Sequence, residues 1–141
     1  MIEVAQRFAG DKKVWYTGID LFESPIRRAA HKNDERTRFL QADAAAYTPD
    51  EQFDVIVWNE SLYYLKEPLE IAARYGRSLK PDGIVIVSML YQAWATRRLF
   101  RRLGALGTTL AEIRITNETG VSWMVRAYRP APAALTKAAA T

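Results

Sequence analysis

The chain has 141 residues, of which 49% are hydrophobic and 26% charged, and this length and composition predict one globular domain with one core. It contains no cysteine and a single histidine, which excludes disulfides, thiolate nucleophiles, thiolate zinc sites and clustered histidine sites. No run of about 18 apolar residues occurs and no secretory signal pattern opens the chain. The net charge of +4 favours anionic partners without specifying one. We therefore expect a cytoplasmic protein that needs no metal and does not enter a membrane.

Helix-type and strand-type patterns alternate along most of the chain. Apolar residues three or four apart mark the helices, and runs of β-branched and aromatic residues mark the strands. The predicted elements, in chain order, are a helix at 2–9, a strand at 14–20, a helix from Ser24 towards Glu35, strands at 38–43 and 53–58, a helix at 66–79, a turn at 80–83, a strand at 84–90 and an arginine-rich helix at 92–103.

The pattern changes after the arginine-rich helix. Residues 110–116 and 121–128 flank the sequence NETG, and the second segment alternates apolar with polar side chains, which predicts an antiparallel hairpin. The alanine- and proline-rich residues 130–141 are low in complexity and are expected to fray. The sequence thus predicts a single domain at 1–129 and a tail at 130–141.

Strands separated by helices predict an α/β fold with a mostly parallel sheet and helices on both faces. The unbroken apolar runs 55–58 and 84–90 are typical of strands that are buried on both sides. In such sheets, ligands bind just beyond the carboxyl ends of the strands.

Polar side chains follow three of the predicted strands. Asp20 ends the first, Asp43 ends the second, and Asn59 and Glu60 follow the third. A carboxylate in the position of Asp20 can accept hydrogen bonds from both hydroxyls of a ribose diol. Local turn formation is the alternative for Asp20 and Asp43, because aspartate commonly terminates strands. These groups are candidates for one nucleoside-binding edge.

Four segments, YTGIDLFESPIRRAA, TRFLQADAAAY, FDVIVWNESLYYL and RSLKPDGIVIVSML, resemble in order and spacing successive motifs of class I S-adenosylmethionine-dependent methyltransferases. The resemblance covers residues 2 to about 128 and implies a Rossmann-like sheet, with S-adenosyl-L-methionine as cofactor and a small molecule as the methyl acceptor.

The resemblance implies cofactor-binding roles for five residues. Asp20 matches the acidic residue that binds the ribose, and Leu21 matches its neighbour that packs on adenine. Asp43 matches the side chain that contacts the adenine amino group, with Ala44 beside it. Asn59 matches the motif that lines the crevice near the methionine moiety.

The resemblance also implies candidate catalytic residues. Glu60 lies where such enzymes line the crevice near the acceptor, and Tyr63 and Tyr64 follow where they shape the acceptor pocket. Glu60 is the best-placed general base, ahead of the two tyrosines and His31, although a purely positional role for Glu60 is favoured. The alternative for either tyrosine is a place in the core.

The chain departs from the family at its start. The family begins with a strand and a glycine-rich loop that admits the methionine moiety. The seven glycines of this chain form no such loop after a strand; they lie at 10, 18, 76, 83, 104, 107 and 120. The missing strand is central in the family, so we expect two unpaired inner strand edges. Three explanations are open, namely direct closure of the edges, a partner or second chain in the gap, and a longer natural protein, which is favoured.

Other functions fit less well. A nicotinamide-dependent dehydrogenase predicts a G-x-G-x-x-G loop, which the sequence lacks. The alternative from another class is a non-catalytic methyltransferase-like domain that binds a protein partner or itself at the open sheet edge. A nucleic-acid role depends on the arginines of 97–102 and is disfavoured. That cluster is interpreted as a solvated helix face, with an acidic-substrate or polyphosphate site as the alternative.

Overall fold

The computed structural model describes residues 14–132, which form two compact units divided between Thr48 and Pro49. The helices and strands, in chain order, are β1 (Tyr16–Asp20), α1 (Glu23–Ala29), β2 (Thr37–Gln41), β3 (Phe53–Asn59), α2 (Pro68–Gly76), β4 (Leu79–Leu90), α3 (Trp94–Leu103), β5 (Gly107–Thr116) and β6 (Ser122–Pro130). Short 3-10 helices lie at Ala30–Lys32, Leu62–Tyr64 and Gly104–Leu106. None of the described helices has the length and apolar character needed to cross a membrane.

The first unit contains a pair of parallel strands connected by α1. β1 and β2 run in register from Tyr16 opposite Thr37 to Asp20 opposite Gln41. The rings of Tyr16 and Phe39 lie 5.6 Å apart. Gly18 lies opposite Phe39, where an added Cβ would come within 2.7 Å of the ring, so this close approach requires glycine. The parallel pairing brings the carboxyl ends of both strands to one edge.

The second unit contains a four-stranded sheet in the order β3-β4-β6-β5. β3 is parallel to β4, whereas β6 is antiparallel to both β4 and β5. Alternate β4 residues Val85, Val87 and Met89 are fully buried. Trp58, which pairs with Val87, meets Tyr75 of α2 edge-on at 4.9 Å between ring centroids. One face of this sheet therefore carries the core of the unit.

The opposite face of the same sheet retains exposed apolar side chains. Val55 and Val57 of β3 are 43% and 44% exposed, and Ile113 and Ile115 of β5 are 59% and 51% exposed. Among the described strands, β1 pairs only with β2, and β3 pairs only with β4. Within the described residues, β1 and β3 therefore each have one strand neighbour.

The α/β class, the four predicted strands after residue 13, and the C-terminal hairpin are confirmed. The turn predicted at 80–83 is wrong, because these residues lie within β4. Phe53 pairs with Leu79 and Val55 with Ile84, so two steps along β3 match five along β4 and the extra β4 residues form a bulge. The helix predicted towards Glu35 ends earlier, and its last turn is the 3-10 helix at Ala30–Lys32.

The predictions for the two ends of the chain extend beyond the described residues. The helix predicted at 2–9 lies outside them, as does most of the tail from residue 133 onward. β6 continues to Pro130, one residue beyond the predicted domain end, and the next amide, of Ala131, donates to the Leu106 carbonyl at 2.8 Å. The start of the predicted tail is thus attached to the second unit.

The hairpin loop gives a test of the fold. Gly120 has a φ of +81° and an added Cβ would meet no atom within 4 Å, so Gly120→Ala should cost only backbone strain. We expect it to lower the free energy of unfolding by about 1 kcal/mol. The matched control is Gly104→Ala, because Gly104 has a φ of −59° and its nearest neighbour to an added Cβ is 3.8 Å away. Urea unfolding followed by circular dichroism measures the stability of both variants. Equal stability of the Gly120→Ala and Gly104→Ala proteins would contradict the left-handed conformation of Gly120.

Candidate functional site

The first group of candidate residues lies at the carboxyl edge of β1 and β2. Asp20 ends β1 opposite Gln41, and Asp43 lies two residues further along the second strand's path. The Ala42 amide donates to the Asp20 carbonyl at 2.9 Å, which extends the pairing to this edge. The parallel register therefore puts both carboxylates at the same edge of the first unit.

Both aspartates form local turns. The Phe22 amide donates to Asp20 Oδ1 at 2.9 Å, and the Ala45 amide donates to Asp43 Oδ1 at 2.8 Å. The turn-forming alternative is thus realised, but it occupies only one oxygen of each carboxylate. Leu21, next to Asp20, is an apolar side chain that is 55% exposed. This edge offers carboxylate oxygens beside apolar surface.

The second group lies at the carboxyl ends of β3 and β4, in the second unit. Asn59 ends β3 opposite Ser88, and its side chain is exposed. Glu60 follows with a φ of +50°, a left-handed conformation that costs a non-glycine residue of order 1–3 kcal/mol. Its amide donates to the Ser88 carbonyl at 2.9 Å, which fixes the chain as it leaves the strand.

Three donors hold the Glu60 carboxylate. Ser88 Oγ donates to Oε1 at 3.2 Å, while the Leu90 amide and the Tyr63 hydroxyl donate to Oε2 at 3.0 and 3.1 Å. Sequence reasoning missed Ser88 and Leu90, although Ser88 is the one polar side chain in the apolar run 84–90. Glu60 therefore connects the tip of β3 to the tip of β4.

The two tyrosines after Glu60 have different surroundings. Burial raises the pKa of the Tyr63 phenol far above its usual range, and hydrogen bonds with Tyr64 and Glu60 raise it further. Tyr63 is consequently a neutral hydrogen-bond donor at physiological pH. Tyr64 is 78% exposed, so the core alternative does not apply to it, and its ring lies 4.4 Å from that of Tyr63.

The candidate residues form two groups, one in each compact unit. Asp20 and Asp43 belong to the first, with Leu21 and half-buried Ala44, whereas Asn59, Glu60 and the tyrosines belong to the second. His31, which is also a candidate base behind Glu60, lies in the first unit. Its Nδ1–H donates to the Arg28 carbonyl at 2.7 Å, next to the end of α1. The contact gives His31 a role in terminating that helix.

These features define an α/β protein of the Rossmann-like class, with polar groups at the carboxyl ends of its parallel strand pairs. The methyltransferase domain family matches residues 3–128, which is most of the chain. The chain belongs to this family, and its fold is that of the class I S-adenosylmethionine-dependent methyltransferases.

Two sequence relatives are methyltransferases by name. The ubiquinone biosynthesis O-methyltransferase of Histophilus somni (strain 2336) is 32% identical over 93 residues, which cover 56% of this chain and 38% of the relative. The 27-O-demethylrifamycin SV methyltransferase of Amycolatopsis mediterranei (strain S699) is 36% identical over 87 residues, covering 57% and 32%. The chain spans about a third of the length of these curated relatives.

Solved structures share the fold at lower identity. The N-methyltransferase NodS from Bradyrhizobium japonicum WM9, in complex with S-adenosyl-L-homocysteine, has a TM-score of 0.68 at 21% identity, covering 81% of this chain and 65% of that one. The [4+2]-cyclase SpnF has a TM-score of 0.71 at 18% identity, covering 89% and 69%. Because one of the two is named a cyclase, the fold does not fix the reaction.

The contacts of Glu60 give a second test. Ser88→Ala breaks only the 3.2 Å hydrogen bond and should lower the free energy of unfolding by about 1–2 kcal/mol, whereas Glu60→Ala breaks all three hydrogen bonds of the carboxylate and should lower it further. The double variant should lose less than the sum of the two, since either change alone already breaks the Ser88–Glu60 bond. Chemical denaturation of all four proteins measures the coupling. Strictly additive losses would show that the Ser88–Glu60 contact contributes nothing.

Proposed function

We propose that this chain binds S-adenosylmethionine and transfers its methyl group to a small-molecule acceptor. Membership of the methyltransferase domain family supports the reaction. The two relatives, named for ubiquinone biosynthesis and for demethylrifamycin SV, support a small molecule as the acceptor class. The structural observation that carries the proposal is the pair of carboxylates at one edge of β1 and β2.

The residues of the first unit fit the adenosine half of this cofactor. Asp20 Oδ2, which takes no part in the turn, can accept a hydrogen bond from one ribose hydroxyl. Oδ1 can accept from the other hydroxyl as well as from the Phe22 amide, since a carboxylate oxygen has two lone pairs. Exposed Leu21 offers apolar surface to adenine. We assign Asp43 and Ala44 to the adenine amino edge.

The assignment of the methionine half rests on the family resemblance alone. Exposed Asn59 is the candidate for this part, at the tip of β3. The family's glycine-rich loop has no counterpart among the glycines of this sequence. The residues of this chain therefore account for binding of the nucleoside more fully than for binding of the methionine moiety.

The contacts of Glu60 support a positional role over proton abstraction. S-adenosylmethionine supplies a methyl group on a positively charged sulfur, and that charge decreases as the bond between sulfur and the methyl group breaks. A carboxylate gripping the sulfur would stabilise the ground state more than the transition state. Glu60 is instead held by three donors within the protein. Its contribution would be to fix the strand tips, so that acceptor and methyl group are aligned.

The tyrosines are assigned to the acceptor. Tyr63 is held through its hydroxyl to Glu60 and would form a fixed wall, whereas the Tyr64 ring is exposed and available for contact. As a neutral phenol whose one O–H is donated to Glu60, Tyr63 would not remove a proton from the acceptor. An acceptor that is already nucleophilic at neutral pH suits this arrangement.

Partner binding is a second proposed property. β3 has one strand neighbour among the described residues, and its Val55 and Val57 side chains are exposed, which supports pairing with another chain at this edge. The family match favours the enzyme over a purely non-catalytic module. A cytoplasmic location remains a prediction from the composition.

Titration calorimetry with S-adenosylmethionine tests the proposal. Asp20→Ala should weaken binding on the order of 10- to 100-fold, the loss expected for hydrogen bonds to a charged group. Asp20→Asn keeps a turn acceptor but loses the charge, so its affinity should be intermediate. The matched control is Asp34→Asn, because Asp34 Oδ1 also accepts from a backbone amide, that of Arg36 at 2.8 Å, but lies at the amino end of β2. An Asp20→Ala protein with wild-type affinity would refute the nucleoside site.

A further inference from the structure

A cavity of about 320 Å³ lies within the second unit, between α3 and strands β5 and β6. Three of its lining residues are arginines, Arg97 and Arg101 of α3 and Arg126 of β6. Its one carboxylate is Glu112 of β5. The charge of the lining is therefore strongly positive, and the methyl-transfer proposal makes no use of it.

Arg126 and Glu112 neutralise each other and form a fixed wall. Arg126 Nε donates to Glu112 Oε2 at 2.6 Å, and Nη1 donates to the Phe100 carbonyl at 2.6 Å. The guanidinium carbon also lies 5.2 Å from the centroid of the Phe100 ring. With three contacts and a largely buried side chain, Arg126 is committed to the protein.

Arg97 and Arg101 are not neutralised in this way. They are four residues apart on α3, so they lie on the same side of the helix. Arg97 Nε donates to the Tyr91 carbonyl at 3.3 Å, and its guanidinium carbon lies 5.5 Å from the Tyr91 ring centroid. Neither arginine has an ion pair with a carboxylate of the described residues. Both are exposed and line the cavity.

A further arginine adds to this charge. The guanidinium carbon of Arg114, on β5, lies 5.8 Å from the same Tyr91 ring, and its Nη2 donates to Ser122 Oγ at 3.1 Å. Four arginines thus surround the cavity and Tyr91, against the single carboxylate of Glu112. A cleft lined by one sign of charge raises the local concentration of the opposite ion. An anion would relieve the mutual repulsion of the guanidinium groups.

We propose that this cavity binds a small anion, a phosphate or carboxylate group carried on an aromatic body. The free terminal nitrogens of Arg97 and Arg101 would hold the anionic group, because the guanidinium fork matches the oxygens of both groups. Half-buried Tyr91 supplies the aromatic surface for this body, whereas Phe100 and Met124 are buried beneath it. Phe100 is only 1% exposed, so it forms a rigid base for this part of the cavity.

The same helix distinguishes the cavity from a diffuse basic surface. Arg98 and Arg102 do not line it, and the guanidinium carbon of Arg98 lies over the Trp94 ring at 5.5 Å. A polyanion such as a nucleic acid would use all four α3 arginines, whereas a small anion would need only Arg97 and Arg101. Because only Arg97 and Arg101 of these four line the cavity, the small anion is favoured.

Calorimetric titration of the full chain with phenyl phosphate, benzoate and inorganic phosphate, at constant ionic strength, tests the proposal. Arg97→Gln/Arg101→Gln should bind phenyl phosphate about 10-fold or more weakly than wild type. The matched control, Arg98→Gln/Arg102→Gln, removes the same charge from the same helix and should stay within about twofold. Glu112→Gln should bind more tightly, because it removes the cavity's negative charge. The affinities of phenyl phosphate and benzoate, compared with each other, show whether the cavity prefers a phosphate or a carboxylate group.

Several results would overturn the proposal. Equal weakening in the two double variants would show a diffuse surface charge, and equal dependence of oligonucleotide binding on all four arginines would show a nucleic-acid surface. If inorganic phosphate bound as tightly as phenyl phosphate, the proposed contact with an aromatic body of the ligand would be refuted. If titration of the wild-type protein with ligand up to about 10 mM gave no heat of binding, the proposed site would be refuted. None of these measurements requires S-adenosylmethionine, so they are independent of the methyl-transfer proposal.

Discussion

Parallel pairing is the constraint from which the candidate site follows. In a parallel pair the carboxyl ends of both strands lie at one edge, whichever side chains occupy the strands. In β1 and β2 this brings Asp20 and Asp43 to the same edge, and in β3 and β4 it brings Asn59 and Glu60 beside Ser88. Each unit thereby concentrates polar groups where a ligand of an α/β protein binds, while its apolar strand residues remain available for packing.

The energetics at the tip of β3 show how a strained residue can be retained there. The positive φ of Glu60 costs of order 1–3 kcal/mol, and hydrogen bonds to a charged carboxylate contribute about 1.5–3 kcal/mol each. The donors, Ser88, Leu90 and Tyr63, come from β4 and from the 3-10 helix that follows Glu60. The strain is therefore offset by contacts that also fix the two strand tips, which suits alignment better than proton transfer.

Much of the fold could be predicted because the strands are marked by composition. β-Branched and aromatic residues identify β1, β3 and the hairpin, and the polar residues Asp20, Asp43 and Asn59 mark where strands end. The bulge in β4 could not be predicted, because Lys80–Gly83 has the residues of a turn and only the register with β3 shows otherwise. The hydrogen bonds from Ser88 and Leu90 to Glu60 and the Arg126–Glu112 pair join residues 14–30 positions apart, which no local pattern reports.

Amide-resolved nuclear magnetic resonance with added S-adenosylhomocysteine tests most directly whether the strand ends bind the nucleoside. We predict saturable shifts at 20–22 and at 43–45. The amides of Lys80 and Asp82 should not respond, since they lie at the amino end of β4 and ligands bind beyond the carboxyl ends of the strands. Shifts confined to the hairpin or to α3, with residues 20–22 and 43–45 unchanged, would contradict this prediction.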